Sequence, residues 1–411
     1  MSRLLPQGPL RVLAIAQLAN SVGDGAFYAC SALFFTRVAG LSPTQVGLAL
    51  TLGWATAMVA GVPLGALADR WGPRRTAVVL SVAVAGTLSA VLFVRSFPLV
   101  VLVVCGYACC QAGLGSARQT LLAALVPPAE RTAARAHLQS TLNVGLALGA
   151  GLGALVLWSG TYTAYVAAFS LDAASFLLAA FVLRKLPPTP PPPPVTSTPE
   201  PRLGVLRDRP YAVVTLLNAI MCLNMPLLSL GLPMWVAQRT DAPAPVSAML
   251  LALNMLGVVA FQVRMARQVT GLRTATRATG RAGWLMLAAC AVYALSGFDL
   301  GAGVAVAVLV VAAVIQVFGE MLHGAGSWEI GFALAPPDRQ GQYQGFFGMG
   351  PQIARMLGPV LLTALLIGGG AVGWLVLGGL FLLAGLAFAP AVRSAQRRLS
   401  GRAESVGVLG E

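Results

Sequence analysis

Apolar residues run along this chain in long blocks separated by short polar stretches. The blocks fall near residues 10–36, 44–66, 76–94, 98–126, 137–159 and 162–183. A second set falls near 209–236, 245–263, 282–298, 301–335, 343–368 and 371–392. About 20 apolar residues suffice to carry a helix across the hydrocarbon core of a bilayer. The pattern therefore predicts an all-α integral membrane protein with twelve transmembrane helices, six in each set. Between the sets, Leu186 to Pro201 is dominated by proline, which can neither continue a helix nor pack a core. The expected organisation is an N-terminal six-helix bundle over 1–185, a cytoplasmic linker over 186–208, a C-terminal bundle over 209–392 and a cytoplasmic tail over 393–411.

The halves are related. A shift of 209 residues lays Leu125-Val126-Pro127-Pro128 on Leu334-Ala335-Pro336-Pro337, Gly115 on Gly324, and Leu148-Gly149 on Leu357-Gly358 without a gap. Helices 4 and 5 thus recur as helices 10 and 11, the signature of an internal repeat. Under the same shift Gln111 occupies the place of Glu320.

Composition agrees. Of 411 residues, 57% are hydrophobic and 10% charged, where a soluble domain carries about a quarter charged. The net charge of +14 raises nucleic-acid binding, which the placement of the charges excludes. Arginines concentrate in alternate loops, around Arg70, Arg74, Arg75, Arg131, Arg135 and again from Arg264 to Arg281. The opposite loops hold only Arg37, Arg95 and Arg239. That asymmetry places both termini in the cytoplasm. The six cysteines lie in apolar segments without metal-ligand spacing and read as packing residues. No metal or cofactor is expected. No phosphate-binding Gly-Lys-Ser/Thr loop or nucleophile triad is apparent, so neither an enzyme nor ATP-driven transport is expected.

One polar stretch stands out, Gly65-Ala-Leu-Ala-Asp69-Arg70-Trp-Gly72-Pro-Arg74-Arg75. Gly65 permits close helix approach, while Gly72 and Pro73 break the helix. An Asp beside an Arg at a helix end can cap backbone groups and pair with a neighbouring helix. The pattern closely resembles the loop between the second and third helices of the major facilitator superfamily, at the matching position in the chain. That resemblance covers essentially the whole sequence. It implies the major facilitator fold, two pseudo-symmetric six-helix bundles around a central cavity lined by helices 1, 4, 7 and 10. It also implies that Gly65, Asp69, Arg70, Gly72 and Arg74 act as a conformational latch. The equivalent loop of the second half, Arg264 to Arg281, keeps arginines but no acid.

Charged residues inside spans cost several kcal/mol and face a partner or water. Here they are Asp24, Arg118, Asp172, Glu320, His323, Glu329 and Arg355. The resemblance puts Asp24, Gln111, Arg118 and Glu320 at the cavity wall. Glu320 is the first candidate for proton coupling and Asp24 the second, with Arg355, Arg118 and His323 as charge partners. A permanent Glu320–Arg355 ion pair, holding two helices together, is the other reading of that pair. Asp172, on the peripheral sixth helix, reads as structural. Tyr28, Gln111, Asn143, Asn224 and Met321 are candidate cavity residues, although most would serve equally in helix packing.

Within the superfamily the chain looks most like bacterial drug:proton antiporters. Val126-Pro-Pro-Ala-Glu-Arg131 and Ala335-Pro-Pro-Asp-Arg-Gln-Gly-Gln-Tyr-Gln-Gly345 resemble their loops before helices 5 and 11. Two motifs depart from that branch. Ala108 stands where its helix-4 arginine belongs. The helix-5 motif keeps Gly145, Gly149 and Gly153, but Ala150 replaces its proline. The resemblance implies a monomeric, proton-driven exporter of small amphiphilic molecules in the cytoplasmic membrane, in contact with lipid, small-molecule substrate and protons. Uptake of a polar nutrient and a non-transporting sensor or scaffold are the competing readings.

Overall fold

The computed structural model describes residues 8–189 and 203–407, with side chains to residue 398. The expected proline linker lies mostly outside the described residues. Six helices make up the first half: α1 (Pro9–Leu33), α2 (Pro43–Trp71), α3 (Pro73–Val91), α4 (Phe97–Leu125), α5 (Arg131–Ser159) and α6 (Tyr162–Leu183). The second half comprises α7 (Arg209–Arg239), α8 (Val246–Ala266), α9 (Leu272–Leu295) and α10 (Ala302–Ala333). It ends with the short α11 (Gln340–Phe347), α12 (Met349–Leu362) and α13 (Gly369–Gly407).

Among the described residues, ten helical stretches are long and apolar enough to span a membrane. The last, Pro337–Arg398, is a pair of spans divided at Gly370, whose φ of 56° breaks the helix. The 25-residue α1 is long enough to be a twelfth, but Arg11, Gln17, Asn20, Ser21 and Asp24 lower its hydropathy. The twelve-span pattern read from the sequence is therefore the pattern of the fold.

Local chemistry explains the helix ends. Ser42 and Gln45 form a reciprocal capping box at the start of α2, with Pro43 at the first position. Gly72 adopts φ 84° and ψ 137°, closed to residues bearing a Cβ, and lets α2 end and α3 begin within one residue. Asp208 caps α7 through the Tyr211 N–H at 3.3 Å and pairs with Arg398 at 2.9 Å. In α7, Pro226 removes a backbone donor, and a π turn follows over Leu227–Gly231.

The chain forms two compact units. The first comprises Met1–Val195 and Pro337–Gly348. In it α1 packs on α5 and α6, α2 on α4, α3 on α4 and α6, and α11 on α2 and α4. The second comprises Thr196–Pro336 and Met349–Glu411. There α9 packs on α10 and α13, α8 on α10, and α7 on α12 and α13.

Three features lie at the expected boundaries. The segment Pro337–Gly348, assigned from the sequence to the 209–392 bundle, belongs by its packing to the first unit. The near end of the expected linker is tied down: Arg74 Nη1 donates to Leu186 O at 2.6 Å, and the Arg74 N–H reaches Thr189 Oγ1 at 3.4 Å. The expected tail from 393 continues α13 as helix to Gly407.

The repeat is visible in the elements. The 3-10 turns Pro128–Glu130 and Pro337–Arg339 are offset by 337 − 128 = 209 residues, and α5 and α11 start at the same offset, 340 − 131 = 209. Gly149 and Gly358 match likewise. A Cβ on Gly149 would strike Val22 O and lie 2.8 Å from Gly25 Cα on α1. One on Gly358 would strike Pro226 of α7.

Candidate functional site

In the first unit the intramembrane polar residues gather where α1 meets α4 and α6. Helix α1 is drawn against α5 by Gly145, Gly149 and Gly153, all buried. A Cβ on Gly145 would strike Ser21, and one on Gly153 would lie 2.5 Å from Ala29 Cβ. Small residues one turn apart let two backbones approach closely. The opposite side of α1 is then free to present Asn20 and Asp24 to α4 and α6.

Asp24 accepts hydrogen bonds from α4. Gln111 Nε2 donates to its Oδ1 at 3.3 Å and Tyr107 Oη donates at 3.4 Å. Gln111 Nε2 also reaches Tyr107 Oη at 2.9 Å; the two residues lie one helical turn apart and act together. Arg118, two turns along α4 from Gln111, attracts the charge of Asp24. With the Asn20 amide oriented to satisfy both neighbours, its side-chain oxygen accepts from the Arg118 guanidinium and its nitrogen donates to Ser175 O on α6 at 3.0 Å. One amide on α1 thus links α4 to α6. Arg135 of α5 is close enough to feel the charge of Arg118.

The polar set of the second unit is built on α7, α8 and α10. Glu320 accepts from Asn254 Nδ2 at 2.7 Å. His323, one turn along, is 4% exposed; its Nε2 lies 4.0 Å from Cys222 Sγ and its Nδ1 has no hydrogen-bond partner. Cys222 feels both Arg355 and Glu320, so those two charges share its neighbourhood. Gln262 donates to Met321 O at 3.2 Å, joining α8 to α10 a turn further on.

Asp69 uses its carboxylate differently from the interior acids. Its Oδ1 accepts from the Gly341 N–H at 2.6 Å and its Oδ2 from the Gln342 N–H at 2.9 Å. Those N–H groups open α11, so the carboxylate caps a helix N-terminus, where charge and dipole attract. The approach depends on glycine on both sides. A Cβ on Gly65 would strike Gly341 O, one on Gly341 would strike Gly65 O, and one on Gly345 would strike Gly61 O. Arg70 is exposed, and Trp71 receives Arg75 over its ring at 5.5 Å. Of the stretch singled out in the sequence, Asp69 and Gly65 thus meet α11, Gly72 makes the turn, and Arg74 holds the exit of α6.

The other candidates separate by exposure. Tyr28 is 52% exposed, and Gln111 and Asn143 are half-buried. Asn224 is buried at the irregular centre of α7. Met321 is wholly buried, packed with Val258 and Val317. Asp172, read as structural, is also wholly buried. Sequence reasoning missed Tyr107 and Asn254. The signal for Asn254 was a lone amide in the apolar α8, and for Tyr107 a hydroxyl one turn from Gln111. Among the described residues no group of three or more His, Cys, Asp or Glu side chains is arranged to hold a metal ion.

Two related helical units with charged groups inside membrane-length helices define a multi-pass membrane protein, and its family match makes it a transporter and not an enzyme. The profile of the Major Facilitator Superfamily matches residues 13–359, and the chain belongs to that family, whose members are secondary transporters of small molecules. No curated protein sequence matches the chain. Solved structures share its fold. A bacterial homologue of the iron transporter ferroportin, in an outward-facing state, has 15% identity and TM-score 0.73, covering 95% of this chain and 100% of its own. The human organic anion transporter MFSD10 (TETRAN) has 18% identity and TM-score 0.68, covering 93% and 100%. The Major Facilitator Superfamily transporter FucP, in the outward conformation, has 14% identity and TM-score 0.68, covering 95% and 98%. At these identities the likeness is one of fold.

Proposed function

We propose that the protein is a proton-driven exporter of small amphiphilic molecules in the cytoplasmic membrane, working by alternating access with Asp24 and Glu320 as the proton-coupling groups. The observation that carries this reading is the setting of the two carboxyls. Each lies within a membrane-length helix, and the hydrogen bonds described above come to each from neutral side chains. A carboxylate in that setting is stabilised by the hydrogen bonds and penalised by desolvation. A small change in surroundings is enough to load or release its proton. In the first unit Arg118 adds an attractive charge that favours release.

Transport needs the loaded and unloaded states to prefer different conformations, since binding shifts a population only by differential affinity. The Asp69 cap on α11 is the element suited to respond. It joins the α2–α3 turn to the segment that continues into α12, and loss of two charge-assisted bonds would release that segment. Asp69 and Gly65 make this contact, whereas Arg70 does not share in it. Both termini are assigned to the cytoplasm on the arginine distribution.

The test is cargo-induced proton movement in proteoliposomes carrying a pH dye, screened with lipophilic cations, macrolides, phenicols and sugars. Proton movement opposite to the cargo, reduced at least about tenfold in Glu320→Gln or Asp24→Asn, is the expected result. Movement in the same direction would make the protein an importer. Cargo flux without proton movement in the parent, or unchanged coupling in both variants, would remove these carboxyls from the mechanism.

A further inference from the structure

Asp172 of α6 occupies a setting that its position in the sequence did not announce. It is wholly buried, and its Oδ2 has no hydrogen-bond partner. The bond it does accept, from Ser175 Oγ to Oδ1, is long at 3.4 Å, and Ser175 Oγ spends its better bond on Asp172 O at 2.7 Å. The carboxyl lies directly against α1 at Gly23, the residue before Asp24. A Cβ on Gly23 would strike Asp172 Oδ1 and come within 2.8 Å of Asp172 Cα. Only glycine allows α1 and α6 to meet there.

The charged and titratable groups around Asp172 come from α1 and α4; α3, which also packs on α6, carries only Arg74 and Arg75, in its first turn, and neither acts on Asp172. From α1 they are Asp24, which acts on Asp172 directly, and the Cys30 thiol. From α4 they are Tyr107, which feels both carboxyls, and Arg118, which spends a bond on Asn20. From its own helix there is only the neutral Ser175. Among the described residues no cation acts on Asp172 as Arg118 acts on Asp24. A buried carboxylate with an unpartnered oxygen carries a desolvation penalty of several kcal/mol. A second negative charge next to it, in the same low-dielectric layer, adds repulsion.

We propose that Asp172 and Asp24 form a two-carboxyl proton site in the first unit, in which the two groups are not ionised together. Asp172 retains its proton while Asp24, with Arg118, Tyr107 and Gln111 to receive its charge, exchanges a proton with the transport pathway. Each exchange breaks one carboxyl O–H bond and forms one O–H bond on the accepting water or carboxyl, with no other reactant. The role of Asp24 in transport rests on the function proposed above; the shared protonation of the pair does not.

Infrared pH-difference spectra of the full-length protein in lipid, with aspartate carboxyls labelled with carbon-13, read the pair without a cargo. The label confines the signal to seven aspartates. A protonated-carboxyl C=O band should persist through neutral pH and disappear in Asp172→Asn. It should also leave the aspartate label in Asp172→Glu, which keeps the acid if the amide variant fails to fold. In Asp24→Asn the band should remain but be lost at a pH lower by about one unit or more, because its like-charged neighbour is gone, as for any strongly coupled pair. Absence of an Asp172-dependent band at neutral pH would overturn the proposal. So would a band whose titration is unchanged in Asp24→Asn, which would leave an isolated structural acid. Failure of proton coupling in proteoliposomes alongside an intact band would count against the transport reading and leave the pair standing.

Discussion

Asn20 and Gly149 serve opposite ends on the two sides of α1. Gly149 has no side chain, and for that reason α5 can lie against Val22 and Gly25. Asn20 has a side chain with both a donor and an acceptor, and it uses one on Ser175 and the other on Arg118. Placing Gly149→Val at the first contact forces the helices apart. Overpacking of this kind costs about 1–3 kcal/mol, and the midpoint of thermal unfolding in detergent is expected to fall relative to the parent. Gly151, with open space where its Cβ would be, is the control, and Gly151→Ala should leave the midpoint unchanged. The acids at this scale were legible in the sequence, because charge in an apolar block is conspicuous. Their partners were not. Gln111 lies 87 residues from Asp24, and Asn254 lies 66 residues from Glu320. Periodicity says nothing about which side chains meet across such separations.

At the scale of elements the most informative contact is the one between α2 and α11. Motif and position marked Gly65 and Asp69 as a latch, and the structure shows the physical form of their contact, a carboxylate on two backbone N–H groups at a helix start. Hydrogen bonds to charged groups contribute about 1.5–3 kcal/mol. Asp69→Ala should therefore speed amide hydrogen exchange over Pro337–Gly348 by about tenfold or more, while exchange in α9 stays as in the parent. Equal exchange in the two proteins would mean the cap contributes nothing to the order of α11. A similar economy holds at the exit of α6, where Arg74, counted in the sequence with the latch residues, binds Leu186 O. A positive charge on an inner loop is readable as topology, but the carbonyl it serves is not.

For the whole molecule, the repeat and the arginine distribution make a joint prediction. Twelve spans with arginine-rich alternate loops require both ends of the chain on the same face of the membrane. Protease protection of tags at either end, in inside-out and right-side-out vesicles, should give identical patterns; opposite patterns would remove one span from the count. The apolar blocks, the 209-residue repeat and the interior acids followed from the order of residues alone. They depend on transfer of side chains between water and lipid, which is a property of each segment in isolation. Three features required the folded chain: the transfer of Pro337–Gly348 to the first unit, the seating of Asp172 against Gly23, and the choice of Asn254 as partner of Glu320. Each is settled by which helix faces pack together. That depends on shape complementarity between segments far apart in the chain, which hydropathy leaves undetermined.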